Sequence, residues 1–412
     1  MSLTCSIRNI IPPAVPNIIA STGTGARYWL VLGTSGEAAV TITRRSFCAS
    51  LAAGFLSAIR PTGAEQPVTI MDMAGREVHL PALPKRIVLL EAHDLLTMSL
   101  LHPDPASLVV GWAAVDRIDS ELLERLLVNG HTISVAGKQS PDTVSLEGLI
   151  GLAPDLVVTT SFMTPQGNGE SIAERLGQFG IPVVFSDASS NTFVGARDSD
   201  PVAELKASMK MWGVLLGVSE KADTFVSFYE RELAGITARI SGTKPITTYL
   251  EVQSTLDDCC WAAGRKVWGD LLALAGGQPL PGVTAPWFEK LSLEYLLSTP
   301  HDVYIASGGG WASGSRPAIG PGLDPKLGRQ GLQRLIDGRP AFGHLPSVRA
   351  RRVHGIWTGL ITNLPLNILF VAQAAKWLHP EQCIDLDPVA ILDRINRDFA
   401  AFPIEGPLWA SI

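Results

Sequence analysis

The side chains best placed to do chemistry fall into two groups. The first is a pair of glutamates, Glu147 and Glu294, inside a phrase that the chain writes twice: VSLEGLIGLAPDLVV at residues 144–158 and LSLEYLLSTPHDVYI at residues 291–305. Set 147 positions apart, the copies match Ser145 with Ser292, Leu146 with Leu293, Glu147 with Glu294, Leu149 with Leu296 and Asp155 with Asp302. Each reads as a short helix, with its glutamate near the positive end of the helix dipole, followed by a buried strand. The second group lies just past apolar runs that read as strands. It comprises His93 and Asp94 after IVLLEA, Trp112 after SLVVG, Ser161 and Phe162 after DLVVTT, and Gln253 after TYLEV. Trp261, Arg265, Trp287, Trp311 and Trp357 follow in the second half. Loops at the carboxyl ends of strands are where open α/β sheets bind ligands.

This is the chemistry of binding, and the chain reads as a non-enzyme. It has no G-x-S-x-G elbow, no H-E-x-x-H and no evident carboxylate pair. Asp257-Asp258 beside Cys259-Cys260 is the nearest approach to a reactive cluster, and a cysteine nucleophile needs a basic partner that the sequence does not place. Gly308-Gly309-Gly310 lacks the Lys-Ser/Thr of a phosphate loop and reads as a flexible cleft rim. His93 reads as a hydrogen-bonding loop residue, and no set of His and carboxylate ligands for a metal assembles. Aromatic walls suit large, flat or chelated ligands, and Arg265 is suited to pair with an anionic one.

These residues need a scaffold, and the periodicity supplies one. Short apolar strands alternate with amphipathic helices, the pattern of parallel sheets covered by helices on both faces. VTIMDMAGREVHLP precedes them as a hairpin around Ala74-Gly75. From Asp200 to Ile240 the pattern is helical, broken only at Gly217-Val218-Ser219, and LSLEYLLSTP then repeats the βα grammar in a second half. A chain of 412 residues exceeds one compact core, so two lobes are expected. The organisation expected is a first lobe over 68–218, a connecting helix over 219–241 and a second lobe over 245–403.

The segment 1–64 reads as an export leader. Arg44-Arg45 precede an apolar stretch from Phe47 to Ile59, then small residues at Thr62-Gly63-Ala64, in the manner of a twin-arginine signal with its cleavage site. Residues 1–40 form a featureless extension ahead of it. The leader carries five arginines and one glutamate, so its removal takes the net charge from −6 to −10. An acidic surface repels phosphate backbones and anionic headgroups, which argues against nucleic-acid and membrane-surface partners. Cys259, Cys260 and Cys383 remain after cleavage. Adjacent cysteines bridge only with strain, and a disulfide from Cys383 to one of the pair is the alternative in an oxidising compartment.

In order along the chain stand the leader, the hairpin from Asp72 to Pro81, PKRIV, SLEGLIGLAPDLVV, GIPVVF, the connecting helix, GDLLALAGG, SLEYLL and AKWLHPE. This order resembles the periplasmic substrate-binding proteins that serve importers of ferric siderophores, haem and cobalamin, over roughly residues 68 to 400. The resemblance implies two Rossmann-like α/β lobes joined by a single long α-helix, with ligand held in the cleft between them. It implies that Glu147 and Glu294 dock into arginine pockets of an inner-membrane ABC permease dimer, because a twofold transporter needs the same charge presented twice. It further implies a periplasmic, monomeric carrier without a resident cofactor or metal, whose cargo is a ferric-siderophore-type complex, with corrinoid or haem as alternatives. Tyr249 and Tyr304 lie within predicted strands, which disfavours a tyrosine-ligated haem. A continuous connecting helix resists bending, so modest lobe closure is expected.

Overall fold

The structure, a computed structural model, describes residues 66–164, 171–187, 200–310 and 314–412. The leader with Arg44 and Arg45, and Trp311, lie outside the described residues. The alternating grammar of the first half builds a five-stranded sheet from β3 (Ile87–Leu89), β4 (Val109–Ala113), β5 (Ser134–Gly137), β6 (Leu156–Thr160) and β7 (Val183–Asp187). Its order is β5-β4-β3-β6-β7, and every pairing is parallel. Residues alternate between the two covered faces: Ile87 and Leu89 pack into one apolar cluster, Val88 and Leu90 into another. Burial on both faces explains why these strands read as unbroken apolar runs. Around the sheet run α1 (Asp94–Ser99), α2 (Glu121–Val128), α3 (Leu146–Gly151) and α4 (Ile172–Gln178).

The predicted hairpin forms from β1 (Val68–Met71) and β2 (Glu77–Leu80). Asp72 shapes its turn by accepting from the amides of Ala74 and Arg76 at 3.0 and 2.9 Å, and Gly75 supplies the positive φ. Arg76 then reaches across to the carbonyl of Val183, fastening the hairpin to β7.

Between the sheets the chain forms two helices, α5 (Pro201–Leu215) and α6 (Ser219–Ile240). Asp200 caps α5 by accepting from the Val202 amide, and Gly217 closes it with φ +68°. A Cβ on Gly213 would stand 2.7 Å from that of Ala222, so glycine there lets the two helices meet at their turn. On α6, Ala222, Phe225, Tyr229, Leu233 and Ile236 form the buried stripe, spaced by three and four residues.

The second sheet departs from the expected parallel one. It has the order β11-β9-β8-β12-β13-β14, with β10 also paired to β8. β8 (Ile246–Gln253), β10 (Gly277–Pro279), β12 (Val303–Gly308) and β13 (Val353–Trp357) are parallel neighbours, whereas β9 (Trp261–Ala263) and β14 (Trp409–Ser411) run antiparallel to them and β11 (Phe288–Lys290) pairs antiparallel with β9. β9 follows β8 after a short loop, and a parallel return needs a crossover that so short a link cannot make. The helices of this half are α7 (Trp268–Leu274), α8 (Leu293–Ser298), α9 (Pro325–Gly338), α10 (Pro346–Arg349), α11 (Gly359–Thr362), α12 (Asn367–Leu378) and α13 (Pro388–Asp398). Cys259 and Cys260 are joined to each other, and Cys383 is buried as a free thiol, so no bridge reaches from Cys383 to the pair.

The repeated phrase forms the same unit twice. Ser145 and Ser292 cap α3 and α8 by accepting from the amides of Gly148 and Tyr295, at 3.3 and 3.1 Å. The Asp155 and Asp302 amides then donate to the carbonyls of Arg86 and Thr247, at 3.0 and 2.8 Å. Each copy thereby seats its strand, β6 or β12, beside the first strand of its own sheet.

One buried charge pair anchors the second sheet. Glu251 on β8 receives Arg339 at 2.9 and 3.0 Å and the Tyr304 hydroxyl at 2.6 Å, all in the core. Removing one member strands the other charge away from water. Arg339→Met should therefore cost about 3–5 kcal/mol, read from urea unfolding midpoints. Adding Glu251→Gln to that variant should restore part of the loss. A double variant as unstable as the sum of its singles would show that the two side chains act independently.

Candidate functional site

The carboxyl ends of both sheets open onto one cleft with room for about 340 Å3. In the first sheet the chain turns one way from β3 to β4 and the other way to β6, and a crevice forms where such an order switches. His93 follows β3, Asp116, Arg117 and Asp119 follow β4, and Asp187 ends β7. Across from them stand Gln253 at the end of β8, Thr358 after β13, and Arg316, Trp287 and Phe288 from loops and β11.

The floor of the first-lobe wall is a buried carboxylate. Glu91 has no exposed surface, and its Oε2 lies 3.3 Å from Arg117 Nε and 3.6 Å from His93 Nδ1. Thr160 donates to its other oxygen at 3.3 Å. The Arg117 guanidinium in turn stacks 5.6 Å above the Phe162 ring. Burial alone would lower the His93 pKa, but Glu91 and Asp94 outweigh it and leave it raised. Asp94 lies beneath, accepting from the Ser186 hydroxyl at 2.6 Å. Burial raises its carboxyl to about 6, against the lowering pull of His93 and Ser186.

The second-lobe wall centres on Arg316, which is buried and donates to Thr358 Oγ1 at 2.8 Å. Burial lowers its pKa while Asp119, from the first lobe, pulls it upward. Hydrogen bonds between the lobes flank the cleft. The Ser120 hydroxyl donates to the Pro321 carbonyl at 2.9 Å, the Gly310 amide to the Asp119 carbonyl at 3.2 Å, and Asn363 Nδ2 to Thr97 Oγ1 at 2.9 Å. The glycine run is thus a packing surface: a Cβ at Gly309 would collide with the Asp119 carboxylate, and one at Gly310 would stand 2.7 Å from its carbonyl oxygen.

Of the residues singled out in the sequence, His93, Gln253 and Trp287 line the cleft. Trp112 is buried in the core, because it lies within β4 and not past its end. Asp94 sits below the surface and Phe162 supports Arg117 from behind. Trp261 packs against Phe288 at 5.8 Å and donates to Asp258, so it buttresses the rim. Arg265 is exposed outside the cleft, and Trp357 is fully buried against Gly320 and Gly359. Glu147 and Glu294 are both exposed at the second position of their capped helices. The sequence reading missed Asp116, Arg117, Asp119, Asp187 and Arg316. The first three follow β4, a few residues beyond where it stopped, and Asp187 is the last residue of β7; Arg316 lies in a loop with no periodic signal.

A family model described as "Periplasmic binding protein" matches residues 108–356. The fold is similar to that of the TroA-like periplasmic binding protein FepB from Veillonella parvula, at TM-score 0.71 and 20% identity, covering 84% of this chain and 99% of that one. It is also similar to the molybdate periplasmic binding protein MolA of Haemophilus influenzae, at TM-score 0.64 and 18% identity, covering 82% of this chain and 99% of that one. A vitamin B12-binding protein of Vibrio parahaemolyticus is 20% identical over 164 residues, 40% of this chain and 54% of that protein, so the match spans about half its length.

The buried Asp94 gives the fold a pH signature. Its carboxyl moves from an ordinary 3.8 to about 6, so between those values the native state holds a proton that the unfolded chain has released. The stability this confers is present below about pH 4 and is lost as pH rises through about 6. Asp94→Asn keeps an acceptor for Ser186 and cannot ionise. Relative to the unaltered protein, it should gain roughly 2–3 kcal/mol between about pH 4 and pH 7, measured by urea unfolding at each pH. A difference that stays constant across this range would mean that Asp94 remains ionised throughout.

Proposed function

The chain belongs to the periplasmic binding protein family, and on that premise we propose that it is the substrate-binding component of an ABC importer, capturing a ferric-siderophore-type complex in its cleft. Members of this family bind small molecules and hand them to permeases, and they are not enzymes. A periplasmic location follows from the family, and among the described residues no helix is long and apolar enough to cross a membrane. The observation that carries the reading is the cleft, where loops at the carboxyl ends of both sheets bring Arg117, Arg316 and Trp287 around one cavity. Its volume lies at the small end of the range for ligand sites, about 300–1,000 Å3, which favours a compact chelate over a whole corrinoid. The vitamin B12-binding relative keeps a corrinoid as the second reading.

Delivery is proposed to run through Glu147 and Glu294. Both carboxylates are exposed and both sit on helices with matched serine caps, so each lobe presents one charge in the same local frame. Such charges steer docking and fix its orientation without touching the cargo. The sequence reading's export signal at Arg44-Arg45 belongs to the same proposal.

Titrating the protein with ferric hydroxamates, ferric catecholates, haemin and cyanocobalamin should quench Trp287 fluorescence for at least one complex, at one ligand per chain. No quenching by any of them at micromolar concentration would remove the chelate reading. Glu147→Lys and Glu294→Lys together should abolish uptake into cells while leaving cargo affinity within about twofold, since the carboxylates lie outside the cleft. Loss of affinity in that variant would place the two glutamates in the binding site instead.

A further inference from the structure

Resting on the chelate-binding reading above, we infer that the cleft takes chelates with a flat apolar face, an aryl ring above all, and seats that face on an aromatic shelf at one edge of the second sheet. Trp268, Trp287 and Phe288 line the cavity there, with Val252 and Leu271 beside them. All five belong to β8, to the β9–β11 edge beyond it, or to α7, which follows β9. The polar pair of the same lobe, Arg316 and Thr358, lies on the other side of β8, toward β13. From the first lobe, the described residues bring polar side chains to the cavity, among them His93, Asp116, Arg117 and Gln139, with Pro201 the one apolar exception. A cargo between these walls meets hydrogen-bonding partners on one side and aromatic rings on the other.

The backbone holds this shelf in place before any cargo arrives. β11 pairs with β9 at Phe288 and Ala263. The contact runs on past the strands, where the Gly264 amide donates to the Trp287 carbonyl at 2.8 Å and the Lys266 amide to the Pro286 carbonyl at 2.7 Å. The two segments meet so closely that a Cβ at Gly264 would collide with the carbonyl oxygens of Ala285 and Pro286. Trp261, outside the cavity lining, packs edge-on against Phe288 at 5.8 Å. Glu289, also outside the lining, ties down the turn: its Oε2 accepts from the Thr284 and Ala285 amides at 2.8 and 3.1 Å and from the Thr284 hydroxyl at 3.1 Å. Because those donors lie just before Trp287, Glu289 acts as a positioning residue for the indole. Rings fixed in advance lose little freedom on binding, so their contact area converts more fully to affinity.

Two uncharged complexes separate the effect of the ring from that of charge: chromium(III) tris(benzohydroxamate) and chromium(III) tris(acetohydroxamate), which share a metal centre and differ by phenyl against methyl. Chromium(III) stands in for iron because it keeps its ligands through a titration. Calorimetric titration of the full chain should show the benzo complex binding at least about tenfold more tightly than the methyl one. Trp287→Ala should shrink that gap by about fivefold, and Trp287→Phe should retain most of it. Glu289→Ala should shrink it by about threefold although it removes no group that lines the cleft, and Glu289→Gln, which keeps an acceptor oxygen, should restore part of the loss. Suppose a ferric complex, haemin or cyanocobalamin binds, yet the benzo complex binds no more tightly than its methyl counterpart, or not at all. That result would overturn the aromatic shelf alone, as would a gap unchanged by Trp287→Ala. A gap unchanged by Glu289→Ala would remove the positioning role of Glu289. Binding of none of these complexes would overturn the chelate reading and this inference with it.

Discussion

Everything at the cleft depends on a buried carboxylate that must be answered. Glu91 has no contact with water, and an ionised carboxylate in that position needs both a counter-charge and hydrogen-bond donors. Arg117 supplies the counter-charge at 3.3 Å, Thr160 donates the hydrogen bond and the His93 ring lies 3.6 Å away, and Arg117 and His93 also form the cleft wall. The demand made by one buried group therefore helps to set the orientation of two residues that line the cleft. Phe162 completes the arrangement from the side, holding the guanidinium plane over its ring. Exchanging Glu91 for an apolar residue would leave Arg117 without its anion, so the wall and the carboxylate stand or fall together.

The second wall is built on a different logic. Arg316 is held by a hydroxyl, Thr358, which itself donates to the Gly308 carbonyl at 2.8 Å at the end of β12. Asp119, from the other lobe, pulls its pKa upward, so this arginine feels charge from across the cleft. The bonds from Ser120 to Pro321 and from Asn363 to Thr97 limit the separation of the lobes, as does the fit of Gly309 against Asp119. The modest closure expected of the cleft would then proceed by small displacements of packed loops.

Much of the scaffold was legible because it obeys local rules. The hairpin at Gly75, the capped helices at Ser145 and Ser292, and the two-faced strands of the first sheet each leave a periodic or capping signature. The antiparallel strands β9, β11 and β14 left none. Each is three residues long, and direction in a sheet is set by the connection and not by the strand. Aromatics misled the reading of the site. Trp112 and Trp357 lie near strand ends in the sequence, yet both point into apolar packing, since a large ring gains more from burial than from a solvent-facing rim. The charged wall was passed over because the aspartates and arginines beyond β4 look like ordinary loop residues. Only the crossing order of the strands, which no single segment encodes, turns those loops toward the crevice.

The repeated phrase shows how far local sequence carries a structural unit when the surrounding sheets differ. One sheet is wholly parallel and the other mixed, so the halves are not superposable strand for strand. The unit that recurs is smaller: a serine cap, an exposed glutamate in the first turn, and an aspartate amide tying the following strand to the first strand of its sheet. The docking proposed for the two glutamates needs only that two charges be offered in equivalent local frames at rigid positions. A cap fixes the start of the helix, and seating the next strand beside the first fixes that helix relative to its sheet. The strands added at the edges of the second sheet can then vary without moving the glutamate. Divergence of the scaffold and retention of the phrase are therefore compatible, and the same division leaves the cleft loops free to differ between lobes while the outward-facing charges stay matched.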